Sequence, residues 1–210
     1  MTAPEERVPA GVPRPVVVLV GPPGAGKSTV ALLLAERWGL VARDTDGDVA
    51  KAAGKPVTEI FVDDGEPRFR ELEHAAVGAA LVGFGGVLAV GGGAVLHVDT
   101  RGALAGYEEH GGVVVFLDVT LAHAAGRVGF NRPRPLLLGN PRAQWAALME
   151  ARRGLYEEVA TVTVQTDGIA PDVVADRVEA ALAARRVDAP AADTSGTDGT
   201  GIGGTGAEQA

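Results

Sequence analysis

The stretch Gly21-Pro22-Pro23-Gly24-Ala25-Gly26-Lys27-Ser28 decides how the rest of the chain is read. It fits G-x4-G-K-[S/T], follows an apolar run at 15–20 and opens a helical pattern that ends at Trp38. Each position has a chemical reason. Gly21, Gly24 and Gly26 let the backbone turn tightly and aim its N–H groups at phosphate oxygens. The helix that follows adds its positive N-terminal end. Lys27 can bridge the outer phosphates, and the Ser28 hydroxyl can reach Mg²⁺. Multiplying the chain's own Gly, Lys and Ser+Thr frequencies over about 200 windows gives a chance expectation of about 0.004 for such a match. The stretch is therefore a phosphate-binding loop for a nucleoside triphosphate, with Gly24, Ala25, Gly26, Lys27, Ser28 and Thr29 as its contacts.

Outward from that loop, short apolar runs alternate with helical patterns. Strands are expected at 15–20, 40–44, 87–90, 113–118 and 161–165. Helices are expected at 27–38, 47–53, 58–63, 67–82, 100–109, 121–127, 142–159 and 171–184. Most of the strand runs are continuously apolar, which suits strands covered on both faces in a parallel sheet. The pattern predicts a three-layer α/β/α domain with five parallel strands and right-handed crossovers.

Composition limits what such a domain can do. With 210 residues the chain has room for one domain, expected at 14–187, and no cysteine is present for a disulfide, thiolate metal site or Cys nucleophile. The 19 basic and 27 acidic residues give −8, against a nucleic-acid or anionic-membrane surface. No apolar run is long enough for a membrane span, and residues 1–13 lack the apolar stretch of a signal peptide, so a cytoplasmic location is expected. Residues 188–210 hold six glycines, no Lys or Arg, and Ile202 as their only large apolar side chain, so this tail is expected to be disordered. Residues 1–13 are expected to be flexible. The histidines His74, His97, His110 and His123 are far apart in sequence and are expected at the surface without a role.

Two aspartates follow the second strand. Asp44 and Asp46, at i and i+2 on an extended strand end, would face the same side. One could support Mg²⁺ through its water shell while the other accepts a proton from a substrate hydroxyl. The competing reading is an Asp cap on the next helix. Further on, Gly91, Gly92 and Gly93 end a strand, where backbone can approach a substrate closely. Arg127, Arg132 and Arg134 fall in a Pro- and Gly-containing stretch at 127–140 that suits a lid closing over phosphates.

The set as a whole resembles the shikimate kinases. The motifs that carry the resemblance are 21–29, Asp44-Thr45-Asp46, Phe61-x-x-Asp64-Gly65-Glu66-x-x-Phe69-Arg70-x-x-Glu73, Gly91-Gly92-Gly93-Ala94-Val95 and Arg134-Pro135-Leu136-Leu137, and it covers about 15–184. The resemblance implies that Asp46 contacts the shikimate hydroxyls and accepts the proton, and that Asp44 supports one Mg²⁺ per subunit beside Ser28. It implies that Arg70 and Arg152 grip the shikimate carboxylate at the 91–93 triplet, that Arg134 is the lid arginine and that Arg127 lies against adenine. A substrate-binding segment at about 45–82, catalysis by Asp46, Lys27 and Arg134, ATP as co-substrate and a monomeric state complete what it implies. Arg132-Pro133 just upstream allows a two-residue slip in the lid register, and Asp167-Gly168-Ile169 stands where many members carry a basic residue near adenine. A gluconate- or nucleoside-monophosphate-type kinase and a non-catalytic nucleotide-binding regulator remain the alternatives.

Overall fold

Strands β1 (Val17–Val20), β3 (Val87–Ala89) and β4 (Val114–Asp118) are buried at every position, whereas β2 (Ala42–Asp44) and β5 (Val162–Gln165) are only partly covered. That difference follows from their places in one sheet of order β2-β3-β1-β4-β5, in which β2 and β5 are the edges. The structure, a computed structural model, describes residues 13–128 and 140–188. All four strand pairs are parallel, with Val18 opposite both Leu88 and Val114, Asp44 opposite Ala89, and Asp118 opposite Gln165. This register brings the loops after all five strands to one edge, where open α/β sheets bind their ligands.

Helices cover both faces. α1 (Lys27–Trp38) buries Val30, Ala31, Leu34 and Ala35, a stripe at helical spacing, and ends at Gly39 with φ +64°. It packs against α8 (Pro171–Asp188) on one face. Right-handed crossovers place α4 (Gly65–Leu81), α5 (Val98–Glu109) and α7 (Pro141–Val159) on the other, with α6 (Leu121–Val128) leading from β4 toward α7. α2 (Thr45–Ala53) and α3 (Val57–Asp63) pack on α4 around a small separate core of Val49, Ile60 and Phe69, with Phe61 and Phe69 rings 4.4 Å apart. The main core is almost entirely Val, Leu and Ala, as the scarcity of aromatics requires.

Elements depart from the sequence expectation mainly at helix starts. α2 begins two residues early, because the Asp44 side chain caps it. α4 begins at Gly65, whose φ of +83° follows Asp64, and a 3-10 turn at Ala94–Leu96 precedes α5. α8 runs to Asp188, beyond the expected 184. The expectations for 1–12, for lid residues 129–139 and for the tail at 189–210 lie outside the described residues.

Candidate active site

The glycines of the phosphate loop have conformations that other residues rarely adopt: φ is +142° at Gly21, +86° at Gly24 and +93° at Gly26. A Cβ on Gly21 would also lie 2.5 Å from the Leu117 carbonyl oxygen, so the loop is pressed against the end of β4. Lys27 folds back over the loop, its Nζ donating to the Gly21 carbonyl at 2.8 Å and the Pro22 carbonyl at 3.2 Å. The Trp145 indole N–H of α7 donates to the Pro23 carbonyl at 3.0 Å, and its ring is buried. A neighbouring helix thus fixes the turn that would receive phosphate.

Asp44 satisfies both readings of its sequence position. Its Oδ1 accepts the Asp46 N–H at 3.0 Å, capping α2, while its Oδ2 accepts the Ser28 hydroxyl at 2.5 Å. The extended geometry expected for Asp46 is not found, because the cap winds 45–48 into the first helical turn. Asp46 still lines the cleft beside the phosphate loop.

A second cluster of contacts is organised around 91–93. The Gly91 N–H donates to the Thr45 hydroxyl at 2.9 Å. A Cβ on Gly91 would collide with the Glu73 carboxylate and approach Asp46 Oδ1 to 2.6 Å, and one on Gly93 would overlap the Arg70 guanidinium. The glycines therefore make room for charged side chains. The Gly92 carbonyl accepts from Arg152 at 3.0 Å and from the Tyr156 hydroxyl at 2.5 Å. Arg70 is held by Glu73 at 2.6 Å and by Glu66 at 2.9 Å.

The Arg70–Glu73 pair is not the solvated surface pair its i,i+3 spacing alone would suggest, since Glu73 is only 1% exposed. Burial pushes the Glu73 carboxyl above its ordinary range and the Asp46 charge adds to that push, while Arg70 opposes both. Burial works against the Arg70 charge too, yet Glu73 and Glu66 more than offset it and raise its pKa. Burial likewise pushes the Tyr156 hydroxyl up to about 12, keeping it a neutral donor to Gly92.

At the other end, Arg127 donates to the Thr166 carbonyl at 2.7 Å and to its hydroxyl at 3.2 Å. Asp167 turns away toward Thr120, accepting its N–H at 2.8 Å, with His123 Nδ1 3.4 Å away. Burial would raise its pKa, but those hydrogen bonds and charges outweigh burial and lower it. One cleft of about 560 Å³ joins the two ends: Asp46 and Gly92 on the β2–β3 side, Lys27 and Ser28 in the middle, Arg127 and Thr166 on the β4–β5 side.

Comparison with known proteins places the chain in a family. The family model described as shikimate kinase matches residues 23–183, most of the chain. This chain belongs to the shikimate kinase family. The shikimate kinase of Saccharopolyspora erythraea is 55% identical over 165 residues, which cover 78% of this chain and 91% of that protein. Among solved structures, the shikimate kinase of Acinetobacter baumannii in complex with shikimate aligns with a TM-score of 0.74 at 31% identity, over 83% of this chain and 96% of that one. A gluconokinase from Sinorhizobium meliloti aligns with a TM-score of 0.54 at 23% identity, over 83% of this chain and 95% of that one, a likeness of fold alone.

Within this shikimate kinase fold, Gly24, Ala25, Gly26, Lys27, Ser28, Thr29, Asp46, Gly92 and Arg127 line one cleft. Asp44 and Arg152 are hydrogen-bonded to members of that set, Gly91 and Gly93 flank Gly92, and Arg70 lies against Gly93. Arg134 and its rival Arg132 lie outside the described residues. Sequence reasoning assigned no role to Thr45, Tyr156 and Thr166, whose hydrogen bonds to backbone are made across the fold. It also missed Asp118, a buried carboxylate held by both Arg153 nitrogens at 2.8 and 3.0 Å and by Gln165 at 2.6 Å. An Asp closing an otherwise apolar strand was the available signal. The four histidines are not uniformly peripheral: His74 and His97 stack 4.3 Å apart.

Proposed function

We propose that this chain transfers the γ-phosphoryl group of ATP to the 3-hydroxyl of shikimate, giving 3-phosphoshikimate and ADP, a step toward the aromatic amino acids. The observation that carries the reading is the convergence of Arg70, Arg152 and Asp46 on the 91–93 backbone, in and beside the cleft that holds Lys27. Two guanidiniums beside a carboxylate base form a receptor for a hydroxylated acid. Arg70 and Arg152 would hold the shikimate carboxylate, with the 91–93 backbone against its ring face.

Asp46 would accept the 3-hydroxyl proton as the new O–P bond forms and the bond to the β–γ bridging oxygen breaks. A strong base is not required, since catalysis here is mainly positioning and charge stabilisation. Lys27 would exchange its two loop carbonyls for phosphate oxygens. Gly24, Ala25, Gly26, Ser28 and Thr29 would bind phosphate through the loop and the start of α1, and Arg127 with the 166–169 backbone would border adenine. Arg134 would come from the lid to the transferring group.

Ser28 Oγ and Asp44 Oδ2, both hard oxygen donors on an exposed edge, fit a Mg²⁺ ion that takes few protein ligands and keeps several waters. When bound, Mg²⁺ neutralises charge on the phosphates.

ADP-release assays with shikimate, gluconate and AMP test the reading. Turnover is expected with shikimate alone. Turnover confined to gluconate or AMP, or no turnover with any of the three, would overturn it.

A further inference from the structure

Where α4 meets the start of α5, three residues from two parts of the sequence come together. His74 on α4 and His97 at the start of α5 stack with ring centroids 4.3 Å apart and planes 12° from parallel. Asp99, in the first turn of α5, brings a carboxylate oxygen 3.9 Å from His97 Nδ1. One potential ligand atom from each residue lies within 4.8 Å of those of the other two, the one such His/Asp/Glu grouping among the described residues.

Three features distinguish this cluster from incidental packing. His97 Nδ1 is buried with no hydrogen-bond partner among the described residues, although it is a polar atom. Its 3.9 Å gap to Asp99 is too long for a hydrogen bond and about 0.5 Å wider than the roughly 3.4 Å between two ligand atoms on a tetrahedral ion with bonds of about 2.0–2.2 Å. His74 Nδ1 lies 2.9 Å from the hydroxyl of Thr100, a fully buried side chain. Donation from Nδ1 to that oxygen leaves Nε2 with the lone pair, as outer partners commonly orient ligating imidazoles.

We propose that His74, His97 and Asp99 form a binding site for a divalent transition-metal ion of the zinc type, separate from the Ser28–Asp44 edge. Two neutral imidazoles and one carboxylate suit zinc and its neighbours rather than Mg²⁺, which prefers oxygen donors alone. Closing the ligand set requires the stacked imidazoles to turn about their side-chain torsions until their in-plane lone pairs converge, and the exposed Asp99 to swing inward. The ion would clamp α4 to the segment leaving the glycine triplet: His74 lies one turn beyond Arg70, and His97 four residues beyond Gly93. A hollow lined by Glu66, Arg70 and His97 adjoins the cluster, so the clamp would border the arginine assigned to the acceptor carboxylate. The site stands on its own geometry and does not depend on which acceptor is phosphorylated.

The test uses the full chain without nucleotide, in excess Mg²⁺ so that the phosphate-side oxygens do not compete. Co²⁺ is added and its visible d–d absorption followed, then Zn²⁺ is titrated against it by calorimetry. One equivalent of Zn²⁺ is expected to displace Co²⁺ and to raise the thermal midpoint. His74→Gln and His97→Gln should each weaken binding by at least about tenfold. Asp99→Asn, on an exposed side chain that does not endanger folding, should weaken it and lower the Co²⁺ band. No saturable binding to the wild-type chain, or equal binding to the wild type and Asp99→Asn, would overturn the proposal.

Discussion

Gly93→Ala separates the proposed carboxylate grip from the scaffold that carries it. Gly93 has φ −105°, a conformation any residue adopts, so an added Cβ brings no backbone strain. Its effect is local, because the methyl would overlap the Arg70 guanidinium, with Cζ at 2.5 Å. Ordinary carbon contact begins near 3.5 Å, so the guanidinium must retreat by about 1 Å or more. It is the far end of a flexible side chain, and the fold therefore loses little, at most the lower end of the roughly 1–3 kcal/mol of an overpacked site. The acceptor loses far more. A misplaced charge-assisted pair costs about 1.5–3 kcal/mol, which is about a 10- to 150-fold fall in kcat/KM for shikimate. Coupled ADP-release kinetics at saturating ATP measure this, with a thermal melt as the control. An unchanged KM for shikimate would show that Arg70 does not hold the carboxylate. A collapsed melt would show that Gly93 serves the scaffold instead.

Three further substitutions probe other parts of the site. Asp46→Asn is expected to lower kcat by about 10²-fold or more while leaving ATP binding near wild type, as loss of a proton acceptor should; an unchanged kcat would remove Asp46 from the chemistry. Trp145→Phe keeps the buried ring but deletes the N–H that holds the Pro23 carbonyl, and about 0.5–1.5 kcal/mol of loss should appear as a raised KM for ATP with the shikimate KM unmoved. Glu73→Gln tests the buried pair through pH. The folded protein holds the Glu73 proton more tightly than the unfolded chain does, so this contribution to stability is complete below the usual value of 4.5 and is lost as pH rises through the folded value. Urea melts across the acidic to neutral range should therefore show the wild type losing stability relative to Glu73→Gln as pH rises; the opposite trend would mean that the pull of Arg70 outweighs burial.

What could be read in the sequence was whatever depends on neighbours along the chain. The phosphate loop was legible because its glycines, lysine and serine must follow one another. The strands of the buried sheet were legible because β1, β3 and β4 are apolar throughout. The start of α2 was misplaced for a physical reason: the Asp44 side chain was weighed as cap or as metal support, and its two oxygens do both tasks at once. Thr45 and Tyr156 carried no signal, because each acts on a backbone atom 46 or 64 residues away. The stacked pair of His74 and His97 was hidden for the same reason, their closeness being a product of α4 meeting α5.

Those distant contacts are not evenly spread, and α7 carries a large share of them. Trp145 near its start holds the Pro23 carbonyl, Arg152 and Tyr156 further along hold the Gly92 carbonyl, and Arg153 holds Asp118 at the end of β4. Those contacts span three loops at the ligand-binding edge, two of them on opposite sides of the transferring phosphoryl in the proposed reaction. The helix is also capped at its start by Asn140, whose side chain accepts the Ala143 N–H at 3.2 Å. A rigid helix with two buried hydrogen-bonded anchors, Trp145 and Tyr156, cannot tilt without moving both loops together. α7 thus fixes the separation between the 21–26 and 91–93 loops, and in the proposed reaction that separation is what phosphoryl transfer by positioning demands.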